Sequence, residues 1–343
     1  MILGYSSLYP ADASERDLPG PAEARALLAG RRPDIVTRIE GMVARATAGA
    51  GAPRHLDAIL LGIARIGRRH GSFGDDPHDY HNEEHVLELA ERRLGALMDA
   101  IGEPALPADD WLALMLFAAC HDLRQREAFD VPGPVGGNEA ASIAEGFRIL
   151  AACGLDPVAE RPLYIALELM IAGSTFDARP PQRSDDPDVP AAPGGSLARG
   201  LALWLDGERP DWRDDPDARR GERLARLAAD LDTANVGEPF PLLADSAVRL
   251  CRERERRAGR ALAKASSALT CLGFLSRGQT VYFFDLHRFC SREGERAFGP
   301  QKARNGPVVR QVSQQLQDRF EDQPPGNGQA VIDAFAALCA ATG

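Results

Sequence analysis

Apolar residues along this chain recur mostly at three- and four-residue spacing, the period of a helix face. Leu56, Ile59, Leu60, Ile63 and Ile66 mark a helix over 55–69. Trp111, Leu114, Met115, Phe117 and Ala118 mark another over 109–123, with Asp109 or Asp110 as its N-cap. Pro21 opens a helix to about Leu28, and a second runs from Pro33 to Ala46. Further helices are expected over 80–97, 138–152, 162–172, 221–234, 307–320 and 328–341, with Gly154 closing the second of these. The run 245–275 reads as one long helix whose arginines over 252–260 form a solvated face. Val281, Tyr282, Phe283 and Phe284, within 279–285, fit a strand as well as a buried helix.

Two stretches interrupt the pattern. Segments 178–197 and 206–220 are dense in Pro, Asp and Gly and lack apolar periodicity, so both are expected to be loop insertions. The economical architecture is all-α: an N-terminal helical extension over 1–54, a central helical domain over 55–290, and C-terminal helices over 291–343 packed on the same body.

Composition narrows the classes. Hydrophobic residues make up 44% and charged residues 26%, as in ordinary globular proteins. A formal net charge of −10 opposes general affinity for polyanions, which disfavours a nucleic-acid scaffold. No stretch has transmembrane length, and residues 1–10 lack a signal-peptide pattern, so no membrane partner and a cytoplasmic location are expected. The six cysteines form no Cys-x-x-Cys pair and read as reduced core residues.

The chemistry concentrates in Tyr80-His81-Asn82-Glu83-Glu84-His85 and His121-Asp122. The chain has 7 histidines, and three sit in these two motifs. Histidines four apart share a helix face, and a His-Asp pair supplies a nitrogen and an oxygen to one divalent ion. Asp230 and Asp232 fall inside an otherwise apolar helix, where a carboxylate needs a partner. A metal is the favoured partner for Asp232 and a structural contact for Asp230. Mixed His and Asp ligands fit one or two ions of Mn, Mg, Zn or Fe.

The order His81-Asn82-x-x-His85, His121-Asp122, Asp232 with Asn235 resembles the HD-domain superfamily of metal-dependent phosphohydrolases. The Tyr-His-Asn-x-x-His wording is especially similar to class I cyclic nucleotide phosphodiesterases and to bacterial HD proteins that share it. The resemblance spans roughly 79–237. It implies an HD-domain-like helical bundle that hydrolyses a phosphate ester, a phosphodiester of a nucleotide or other small molecule, with metal-activated water. It implies that His85, His121, Asp122 and Asp232 hold the metal. Asp122 also bridges to a second ion, and His81 is the general acid. Asn82 orients the local backbone, and Asn82, Asn235 and Arg124 or Arg126 are candidates to meet substrate. Glu139, in an Asn-Glu-x-x-Ser element similar to one in bacterial HD phosphohydrolases, is a candidate to orient water or hold His81, and Asp230 a candidate to support the ligands from behind.

The phosphodiesterases carry a further histidine shortly after the His-Asp pair, where this chain has Arg124-Gln125-Arg126. That departure widens the reading from cyclic nucleotides to phosphate esters. It keeps an alternative in view: a nucleotide-binding sensor of HD fold with little turnover. The oxygenase branch of the superfamily needs extra histidines, and near the motif only His78 is spare. Lys302 and Arg304, in the Gly- and Pro-bounded stretch 299–307, read as a basic turn that packs the C-terminal helices, with a phosphate-closing loop as the second choice.

Overall fold

In a computed structural model, the structure describes residues 3–5, 8–125, 127, 132–179 and 194–342. The fold is all-α. Among the described residues, strand is confined to Phe176–Asp177 and Gly195–Ser196. No described helix is long and apolar enough to cross a membrane.

The chain divides into two compact units. The first comprises Met1–Phe176, Ser196–Asp232 and Cys290–Gly294; the second comprises Asp177–Gly195, Thr233–Phe289 and Glu295–Gly343.

In the first unit the Pro53–His70 helix packs on Ala108–Cys120, whose residues from Asp110 onward are all buried. Their approach is very close. A Cβ on Gly62 would stand 2.7 Å from the Ala119 carbonyl oxygen, so only glycine fits there. Gly137–Ala152 and Arg161–Ser174 continue the layer, and Pro216–Asp232 lies along Arg161–Ser174. Gly154 closes its helix at φ +72°, a conformation glycine adopts without a Cβ penalty. Its N–H donates to Ala151 O at 3.0 Å and that of Leu155 to Leu150 O at 3.0 Å, the paired bonds of a Schellman stop.

Several expected boundaries move. The motif helix begins at Glu83, with Asn82 as its N-cap, and not at Tyr80. It continues through a π-helical stretch, Glu88–Arg93, into Leu94–Ile101. Neither Asp109 nor Asp110 caps its helix: Pro107 holds that place, and buried Asp110 pairs with Arg220 at 2.6 Å and with Arg223. The expected loop 206–220 contains the end of Leu201–Glu208 and the start of Pro216–Asp232. Asp215 accepts from the Asp217 N–H there at 3.0 Å, and Pro216 takes the first helical position. Most of the expected insertion 178–197 lies outside the described residues.

The second unit buries Ala247, Cys251, Leu275, Val312, Leu316, Val331 and Phe335 in one cluster. The expected long helix 245–275 is two: Phe240–Arg257 stops before Gly259, at φ +68°, and Ala268–Gly273 follows. The ambiguous stretch is helical, with π geometry over Val281–Leu286. Stretch 299–307 is not a loop. It lies inside the 28-residue helix Arg292–Arg319, which carries Pro300 and Pro307 internally.

Candidate metal centre

Three helix ends meet in the first unit. His85 sits in the first turns of Glu83–Leu87, His121 and Asp122 directly follow Ala108–Cys120, and Asp232 ends Pro216–Asp232. The two helix C-termini carry the negative end of the peptide dipole, which favours a cation. His85 Nε2 lies 3.6 Å from both Asp122 Oδ2 and Asp232 Oδ1. His121 Nε2 lies 3.1 Å from Asp122 Oδ2 and 3.4 Å from Asp232 Oδ1. Ligand bonds of about 2.1 Å put neighbouring donors roughly 3.0–3.4 Å apart around one ion. His85 Nε2, His121 Nε2 and Asp122 Oδ2 are buried with no hydrogen-bond partner. Buried polar atoms left in that state are costly, and a shared divalent ion would satisfy all three. The residues present therefore fit a metal.

Electrostatics point the same way. Burial works against charge on His121, yet the Asp122 and Asp232 carboxylates lift its pKa well above the ordinary value. Burial would raise Asp122, but positive charge on His121 and His81 holds it down to about 2. Asp232 is lowered likewise against its burial, by His121 and His85. The pocket demands positive charge, which either a proton or a metal supplies.

The surroundings hold these donors in place. His121 Nδ1 lies 3.2 Å from the Ala118 carbonyl, which fixes its proton there and turns the Nε2 lone pair toward the donors. Glu88 Oε2 stands 3.6 Å from His85 Nδ1. The Gln125 amide donates to Asp122 Oδ1. Fully buried Arg93 donates to the carbonyls of Leu231 at 3.1 Å and Asp232 at 2.6 Å, occupying oxygens that a helix end leaves over. Sequence reading passed over Arg93 and Glu88, because charged residues in a periodic helix read as surface. It saw Gln125 only as a histidine's replacement.

The other expected residues fall as follows. His81 precedes the helix and is partly exposed; its ring lies 6.0 Å from that of His85 and 4.9 Å from that of Tyr80. The Asn82 side-chain Oδ1 accepts from Glu84 N at 3.0 Å and His85 N at 3.3 Å, and its Nδ2 donates to His78 O at 2.8 Å. Both its ends position backbone. Burial pushes the Glu139 carboxyl up to about 7, and the Asp122 and Asp232 charges add to it. Asp230 accepts from Cys290 N at 2.6 Å, Ser291 N at 2.9 Å and Ser291 Oγ at 2.5 Å, so it anchors a chain segment. The Arg124 guanidinium is held by Glu127 at 2.5 Å and Glu15 at 3.4 Å, and lies 3.8 Å from Glu145; a phosphate-facing place finds no support there. Arg126 lies outside the described residues. Asn235 belongs to the second unit, where its side-chain Oδ1 accepts from the Tyr282 hydroxyl at 3.1 Å.

The helical fold is that of a phosphodiesterase domain. Two crystal structures of the phosphodiesterase domain of the rhodopsin phosphodiesterase from the choanoflagellate Salpingoeca rosetta superpose on this chain. One has TM-score 0.51, covering 94% of each chain. The other has TM-score 0.54, covering 94% of this chain and 97% of that one. Identity is 12% in both. No protein-family model matches the sequence, and no curated protein matches it.

Proposed function

We propose that the chain is a metal-dependent phosphodiesterase of HD type acting on a small phosphate ester, a nucleotide by preference. The convergence of His85, His121, Asp122 and Asp232 in a fold shared with a phosphodiesterase domain carries this reading. These four residues would hold a divalent ion, with Asp122 as the bridge to a second. When bound, the ion supplies Lewis-acid polarisation of the phosphoryl group and acidifies water for attack.

The protein's own residues do the rest. His121 directs its Nδ1 proton at the Ala118 carbonyl, which leaves the Nε2 lone pair to a metal. Gln125 and Arg93 fix Asp122 and the Asp232 backbone against rotation. His81, outside the donor group and partly exposed, is the general acid that delivers a proton to the leaving oxygen. Glu139, close enough to feel both aspartates, orients water.

The test is hydrolysis of bis(p-nitrophenyl) phosphate by the full chain with Mn²⁺, beside metal analysis. H121A/D122A should lose both metal and activity. H81A should keep metal and lose rate, most for poor leaving groups. Equal activity in wild type and H121A/D122A would end the metal reading, and metal loss in H81A would make His81 a ligand. Nucleotide binding with no turnover in wild type would favour the sensor.

A further inference from the structure

The sequence holds 40 Lys and Arg residues, yet only Lys264 and Lys302 are lysines. Arginine remains protonated in any protein, whereas lysine can release its proton and present a nucleophilic amine. Lys264 is exposed. Lys302 is half-buried within Arg292–Arg319, in the second unit, and its surroundings are specific.

Lys302 Nζ lies 2.8 Å from His287 Nδ1 and donates to the His287 carbonyl at 3.0 Å. It stands 5.3 Å from the Phe283 ring centre and 5.6 Å from that of Phe289. His287 is buried, and burial together with the Lys302 charge pushes its pKa down to about 3, so the ring is neutral and Nδ1 accepts. Two acceptors use two N–H bonds. A neutral amine keeps both and places its lone pair at the third corner, so losing the proton costs no hydrogen bond. Burial, then the charge of Arg288, brings the Lys302 pKa down to about 8, with Glu295 opposing. Arg288 is exposed, and its Nη1 donates to the same His287 carbonyl at 2.8 Å, which sets a second cation beside the amine.

We propose that Lys302 is a covalent site for a small aldehyde that carries an anionic group, bound as an imine at Nζ beside Arg288. The Nζ lone pair attacks the carbonyl carbon and a C–N bond forms. The carbonyl oxygen takes one nitrogen proton to give a carbinolamine. That oxygen leaves as water with the second nitrogen proton, and C=N remains. No oxidant or reductant is needed. An arginine, the usual basic residue of this chain, cannot do this chemistry.

The test treats the full chain with pyridoxal 5′-phosphate at pH 7.5, reduces with borohydride and maps labelled peptides by mass spectrometry. An amine of pKa near 8 is then about one quarter neutral, against roughly 0.1% for an ordinary lysine. Lys302 should be labelled at least about tenfold more than Lys264. K302R should retain its helical circular dichroism and lose that label. R288Q should lose labelling by pyridoxal phosphate several-fold while keeping labelling by uncharged butyraldehyde. Equal or greater labelling of Lys264 overturns the site, and parallel loss with both aldehydes in R288Q overturns the anionic preference.

Discussion

Replacing Gly62 by alanine sets two effects of opposite sign against each other. Alanine in a helix interior is favoured over glycine by about 1 kcal/mol. Against that, the new Cβ would stand 2.7 Å from Ala119 O and 3.1 Å from Ala119 Cβ, where ordinary contacts begin near 3.4 Å. The facing helices must part by roughly 0.7 Å, in a core where Ile59, Ile63, Leu116 and Cys120 are fully buried. Overpacking of that kind costs about 1–3 kcal/mol. The difference is a net loss of up to about 2 kcal/mol, read by urea unfolding followed by circular dichroism. Gly30 and Gly41 are helical glycines whose added Cβ meets nothing within 4 Å, so G30A and G41A should gain about 0.5–1 kcal/mol. Ala119 is two residues from His121, so G62A should also weaken metal binding. A G62A protein as stabilised as G30A would refute the close-packing argument.

Two other outcomes are expected. Asp12 accepts from Arg69 at 2.8 and 3.0 Å, and these bonds overcome burial to lower its pKa to about 2. Its folded pKa is below the unfolded value, so its contribution is complete above about pH 4 and lost as pH falls toward 2. Partial exposure reduces this to about 1–2 kcal/mol; D12N should lose that amount at pH 7 and flatten the acid limb, and an unchanged limb would count against the pairing. Q125A should weaken divalent-metal affinity by about 10–100-fold in chelator competition, because Asp122 loses the donor that orients it; unchanged affinity would remove Gln125 from the site's support.

Local signals carried much of the helix map. Pro33–Ala46 has its observed ends, and Gly154 stops its helix as its φ permits. Where local signals were misread, they were often present. Asp215-Pro216 is a cap followed by a first-turn proline, and Gly259 stops Phe240–Arg257 with the Arg260 N–H on Glu255 O at 2.9 Å. Stretch 299–307 was illegible for another reason. Its Gly and Pro content argues for a loop, but tertiary bonds hold it helical: the Asn305 amide donates to Val236 O and Glu238 O, both at 2.8 Å. The four candidate ligands that the fold brings together stand in recognisable motif order. Arg93 could not be read in that way, because the carbonyls it holds, those of Leu231 and Asp232, lie more than a hundred residues away.

The π-helical stretch sets the phase of the rod that carries His85. An α-helix turns about 100° per residue, so residues eight apart point about 80° away from each other. Wider i→i+5 turns rotate less at each step. Six residues of them, Glu88–Arg93, bring Arg93 back to the side His85 faces. Both then reach the same residue, His85 its carboxylate at 3.6 Å and Arg93 its carbonyl at 2.6 Å. Straightening that stretch into a regular α-helix at constant length would leave Arg93 about 80° round from His85 and swing one of these grips off Asp232. Deleting one residue as well would put the two grips seven apart, about 20° from eclipse, so the extra residue and the wider turns compensate for each other in rotation.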